Sequence, residues 1–167
     1  MTLTNTTGGQ PHTDDRPWHV RAGLDSKIAP MIRDEMREGR VNCVDAATDY
    51  SACPPLKKNA DGKAVLNVSI MLPTIPMWPN GWPDPATYPT VEQRNQRNLE
   101  MEGVARVQQQ PIVDLLNKHN QTLVGQRLSV NYVNADITAD FLPYLEDLDI
   151  VQYIDSRNYI FLSLIHI

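Results

Sequence analysis

Apolar residues in this chain recur at two spacings, one helical and one alternating, with polar and proline-rich stretches between them. Ile28, Met31, Ile32 and Met36 fall on one helical face; Ser26 stands at an N-cap position with Leu24 just outside it, and Gly39 is a stop signal. They predict a short amphipathic helix of about three turns, whose apolar face covers the main domain or a partner. AVLNVSIML, residues 64–72, ends at Pro73 and is apolar on both faces towards its end, which predicts a central strand. Thr90, with Gln93 in capping-box position, opens a long helix over residues 91–120. Val104, Val107, Pro111 and Leu115 approximate its apolar stripe, with Ile112 and Leu116 beside it, and Pro111 is expected to kink or divide it. Its polar start, residues 91–100, is expected to project beyond the domain.

QRLSVNYV, residues 126–133, alternates: Leu128, Val130 and Tyr132 point one way, and Ser129, Asn131 and Val133 the other. That predicts a half-buried strand with one wet face. Thr138 then caps a short helix, ADFLPYLEDL, with Phe141, Leu142, Leu145 and Leu148 inward, and Ile150, Val151, Tyr153 and Ile154 form the next strand. This order, with right-handed crossovers, predicts an α+β fold of ferredoxin-like arrangement: an antiparallel sheet with two helices on one face, the two middle strands merged or short, plus an N-terminal helical extension. The chain divides into a polar arm (1–23), a helix and cysteine-containing loop (24–63), the main domain (64–162) and a tail (163–167). Residues 73–90 are a proline-stiffened loop whose Trp78, Trp82 and Tyr88 either bind a partner or pack the loop onto the domain; packing is the expectation, since a long ordered loop needs anchoring.

A length of 167 residues allows one ordinary domain with extensions. The net charge of -5 argues against a nucleic-acid partner, which needs clustered Lys and Arg. No apolar run approaches the roughly 20 residues that cross a bilayer, so no membrane partner is expected. The first residues lack the basic-then-apolar layout of a secretory signal; either the protein stays where it is made or its true start lies upstream. Cys43 and Cys53 are close enough to close a small loop by disulfide, or are two unrelated thiols; both readings stand. No metal or cofactor is expected, because the nearest histidines, His12 and His19, fall in the arm. Asn5, Asn67 and Asn120 each begin an Asn-x-Ser/Thr sequon, which matters only if the chain is secreted; Asn67, within a strand, is the least suited to use.

VNYVNADITADFLPYLEDLDIVQYID carries a resemblance. Together with VLNVSIML and a helix bearing Gln109, Gln110, Leu115 and Leu116, it resembles the propeptide, or inhibitor, domain of subtilisin-like serine proteases over roughly residues 64–162. Val133, Asn134 and Ala135 match a corner that follows a strand. Thr138, Phe141, Leu142 and Leu145 match the short helix, and Leu148 to Val151 match the entry to the last strand. The proline-rich stretch and the region before residue 64 depart from the family pattern, and no protease motif is present. The resemblance implies a non-catalytic domain that binds, inhibits and helps fold a subtilisin-like protease, in cis or in trans. Its sheet face (Ser129, Asn131, Val133) would lie on two helices of the protease, with the tail (Tyr159, Ile160, Phe161, Leu162) in the substrate cleft by strand addition. It also implies a secretory setting. Asn134 and Thr138 would be structural corner residues, Asn134 in a left-handed turn.

The ending LSLIHI is also similar to translated sequencing-adapter text; on that reading the natural chain continues beyond about Phe161 and the last residues carry no biology. Two other readings compete. Glu146, Asp147, Asp149 and Asp155 could do acid–base work, but four acids around a short helix are more often a solvated rim, so no catalytic residue is assigned. A ferredoxin-like interaction or small-ligand regulatory module unrelated to proteases is the alternative. An apolar exposed sheet face would point to a protein partner, and a pocket of converging polar groups to a ligand.

Overall fold

The structure, a computed structural model, describes residues 27–43, 51–81, 83–87 and 89–158. The expectations for the arm, Leu24, Ser26, Trp82, Tyr88 and the tail from Tyr159 onward fall outside these residues. The elements run α1 (Pro30–Glu38), β1 (Val65–Met71), α2 (Val91–Lys118), β2 (Thr122–Arg127), β3 (Tyr132–Thr138), α3 (Leu142–Glu146) and β4 (Tyr153–Ser156). The four strands form one antiparallel sheet in the order β2-β3-β1-β4, so β1 is central, as its apolar run predicts. The class is α+β.

Strand register sorts the residues by side. Leu66, Val68 and Ile70 of β1 oppose Ile137, Ala135 and Val133 of β3, and Ile70 opposes Ile154 of β4. These side chains form the core together with Ile112 and Leu116 of α2, Leu142 and Leu145 of α3, and Phe141 just before α3. Ile32 of α1 and Leu56 join the same core, so the N-terminal extension is packed into the main domain and is not a separate appendage.

α1 begins later than its periodicity suggests. Pro30 occupies the first turn, where a missing N–H costs nothing, and Ala29 is the N-cap. Gly39 ends the helix in the left-handed region (φ 66°), its N–H bonded to the Glu35 carbonyl. Ile28, expected inside the helix, instead makes a parallel bridge to Ile154: Ala29 N donates to Ile154 O (2.9 Å) and Ile154 N to Lys27 O (2.8 Å). Residues 27–29 therefore pair with β4 along the edge away from β1, which would otherwise be open to another chain. Cys43 and Cys53 form a disulfide, with Cα atoms 5.5 Å apart.

α2 runs unbroken through Pro111 for 28 residues, about 42 Å at 1.5 Å per residue. Pro111 is exposed, and the Val107 carbonyl it leaves unpaired belongs to an exposed residue, where water can take the bond. The expected capping box is present: Gln93 N donates to Thr90 Oγ1 (3.1 Å) and Thr90 N to Gln93 Oε1 (2.8 Å). The expected stripe is displaced by one position. Val104 and Val107 are exposed, while Ala105, Gln109, Ile112 and Leu116 face inward. Gln109 is the cause: this fully buried amide donates to Arg127 O (3.0 Å) and Asn131 Oδ1 (3.1 Å) and accepts from Gln126 Nε2 (3.0 Å), so a polar side chain holds the helix on the β2–β3 hairpin.

Candidate protein-docking face

The strand residues that alternate with the core set make a second, outer side of the sheet. Register arranges them in rows across the strands. Arg127, Tyr132, Met71 and Tyr153 lie in one row, Gly125, Asn134, Ser69 and Asp155 in the next, and Thr122, Asp136 and Asn67 in the third. None belongs to the core cluster.

The two polar rows are internally bonded. Ser69 Oγ donates to Asn134 Oδ1 (2.8 Å), Asn67 Nδ2 to Asp136 Oδ1 (2.7 Å), and Arg157 Nη2 to the same oxygen (2.6 Å). Ser69 and Asn134 are already buried, so their mutual bond satisfies groups that water does not reach, whereas Asn67 and Asp136 remain half-exposed. The remaining row, Tyr132–Met71–Tyr153, is half-buried and presents two aromatic rings flanking a methionine. Tyrosine, methionine and arginine are the residue types enriched in protein interfaces, and methionine adapts to irregular surfaces. Partial burial, and secondarily the Asp155 carboxylate, raise the Tyr153 phenol above its ordinary pKa, so the ring stays neutral.

The chain leaves the sheet beside this face. Asn158 Nδ2 donates to Glu35 Oε2 (3.1 Å), and the same buried oxygen accepts from Asn42 N (3.0 Å). α1 is therefore bonded to the residues that follow β4.

A cavity of about 360 Å³ lies elsewhere, lined by Lys63, His119, Asn120, Asp140 and Tyr144 among others. Lys63 Nζ donates to Asp140 Oδ2 (2.8 Å). That bond, with a further one from Thr138, holds the Asp140 carboxyl below the usual carboxylate range. The His119 and Tyr144 rings meet at 4.3 Å between centroids. Among the described residues, no group of His, Cys, Asp and Glu is arranged to hold a metal ion, and no helix is long and apolar enough to cross a membrane.

The residues expected on one wet face do not share one. QRLSVNYV is not a single strand: β2 ends at Arg127, residues 128–131 turn, and β3 begins at Tyr132. Ser129 is exposed in the turn. Val133 is fully buried in the core, opposite Ile70. Asn131 is buried at the turn in the left-handed region (φ 52°), donating to Pro73 O (2.8 Å) and Gln108 Oε1 (2.7 Å). The left-handed corner expected at Asn134 is thus at Asn131, because the hairpin reverses three residues earlier; Asn134 sits mid-strand, bonded to Ser69. Thr138 does occupy the cap position before residues 139–141, but makes no side-chain cap bond there; its hydroxyl pairs with the Asp140 side chain.

The four acids do not form one cluster. Glu146 accepts from Lys27 N (3.3 Å) at the end of α3, while Asp155 lies on the outer sheet face. The proline-rich loop is held on α2 by arginine side chains, while two of the three aromatics expected to pack it, Trp82 and Tyr88, fall outside the described residues. Arg97 Nε and Nη2 donate to Met77 O and Pro76 O (2.7 Å each), and Arg94 Nη1 to Pro89 O (2.6 Å).

Comparison of the chain with protein-family models, with curated proteins and with solved structures finds no match.

Proposed function

We propose that this chain is a non-catalytic, propeptide-like domain of ferredoxin-like arrangement that binds and inhibits a subtilisin-like serine protease and assists its folding. The observation that carries the reading is the Tyr132–Met71–Tyr153 row on the outer side of the sheet. The β-α-β-β-α-β order with strands arranged β2-β3-β1-β4 supports the ferredoxin-like part. In this reading the partner's helices lie across the outer face, and the segment from Tyr159 to Leu162 enters the substrate cleft as an added strand.

Area favours a two-part contact. Four strands of 7, 6, 7 and 4 residues, at about 3.3 Å per residue and about 4.8 Å apart, present roughly 380 Å² in plan. That is about half of the ~800 Å² a stable interface takes from each partner. In this reading the segment that follows Asn158, itself bonded to Glu35, supplies the rest. The disulfide fits an oxidising, secretory setting.

The cavity at Lys63, His119 and Asp140 favours the other reading, a small-ligand module. The two are separated by assaying residues 1–167 and 1–161 against a panel of subtilisin-like proteases. Tight inhibition by either supports the propeptide-like reading, and weaker inhibition by the shorter chain gives the last residues a role in the cleft. Folded protein that inhibits no protease in the panel sets the reading aside in favour of the cavity.

A further inference from the structure

We propose that Asn120 is an N-glycosylation acceptor; the inference is independent of the protease partner. Two separate observations carry it. The Cys43–Cys53 disulfide fits folding in an oxidising compartment of the kind in which N-glycan transfer takes place. Of the two sequons within the described residues, only Asn120-Gln121-Thr122 is presented for modification. Asn120 follows the C-cap of α2 in the left-handed region (φ 55°) and is exposed, and no side-chain hydrogen bond engages it among the described residues. Thr122, which supplies the sequon hydroxyl, is exposed at the start of β2. Asn67 is the reverse case. It lies in central strand β1, half-buried, its amide donating to Asp136 at 2.7 Å, so a glycan there is incompatible with the outer-face network.

The donor is a lipid-diphosphate-linked oligosaccharide. Asn120 Nδ2 forms the bond to the anomeric carbon, the bond from that carbon to the phosphate oxygen breaks with its electron pair leaving on the lipid diphosphate, and one amide proton is lost through the transferase. The sugar would stand at the rim of the cavity that Asn120 helps to line. It would sit near the Thr122 end of β2, about 16 Å along the strand from the row containing Tyr132. The aromatic row is left clear.

The test is secretion of the full chain from mammalian cells behind a cleavable signal, followed by peptide-N-glycosidase treatment in heavy-oxygen water and site-resolved mass spectrometry. The expected result is Asn120 converted to labelled Asp in most molecules and Asn67 unlabelled. Asn120→Gln and Thr122→Val abolish the label, and Thr122→Ser keeps it; Asn5 is read separately by its own peptide. An unlabelled Asn120 in secreted, disulfide-bonded protein overturns the proposal, as does a label at Asn67 without one at Asn120.

Discussion

Replacing Asn131 tests the buried polar clamp that fixes the hairpin, and with it the outer face. Its side chain makes three hydrogen bonds: to Pro73 O at 2.8 Å, to Gln108 Oε1 at 2.7 Å, and from Gln109 Nε2 at 3.1 Å. At about 1 kcal/mol net per bond, Asn131→Gly, which keeps the left-handed backbone, should lose about 3 kcal/mol. Gln109 retains its bond to Arg127 O, so the loss does not grow further through a stranded amide. Asn131→Ala removes the same bonds but keeps a Cβ at positive φ, a strain that glycine relieves, and should therefore lose about 1 kcal/mol more than Asn131→Gly. Urea unfolding followed by tryptophan fluorescence and circular dichroism gives both values from the midpoint, provided the slope is unchanged. A loss below about 1 kcal/mol for both variants would refute the clamp. Greater stability of the alanine variant over the glycine one would refute the backbone part of the reasoning.

Three further outcomes follow from the geometry. Replacing Cys43 and Cys53 together by serine should cost about 3 kcal/mol by loop closure over a sequence separation of 10, read as a lowered urea midpoint; an unchanged midpoint contradicts it. Arg97→Ala should release the proline-rich loop, seen as faster proteolysis between residues 73 and 89 with global stability changed by about 1–2 kcal/mol; equal cleavage rates contradict it. Tyr153 should ionise above the ordinary tyrosine value of about 10. Because its folded pKa is raised, its stabilising contribution is complete below the unfolded value and is lost as pH rises through the folded one. In an absorbance titration Tyr153→Phe should remove a late-titrating tyrosine; loss of an early one contradicts the assignment.

Strand β1, the Thr90–Gln93 capping box, the Gly39 stop and the α+β class were legible because each rests on local chemistry: β-branched runs, reciprocal cap bonds and a left-handed glycine. The β2–β3 hairpin was not, since residues 128–131 contain neither Gly nor Pro, and Leu128, Val130 and Tyr132 continue an alternation through the turn. Only Asn131 signalled reversal, and Asn134 carries the same signal falsely. The stripe of α2 was misplaced because hydrophobicity alone cannot identify a glutamine that is buried because a hairpin supplies its partners. Ile28 stands at helical spacing from Met31 and Ile32, yet Pro30 starts the helix after it. The outer face is a tertiary property: Met71, Tyr132 and Tyr153 come from three strands, 21 or more residues apart in sequence, and meet only through register.

The most direct measurement is the inhibition constant of the full chain, Met71→Arg and Tyr132→Arg against a subtilisin-like protease that the chain inhibits, with thermal midpoints recorded alongside. Each arginine puts an unmatched charge into the aromatic row without entering the core. The account predicts inhibition weakened at least tenfold, about 1.4 kcal/mol, with the midpoints unchanged. Inhibition equal to that of the unaltered chain would mean that the sheet's outer face is not where a protease docks.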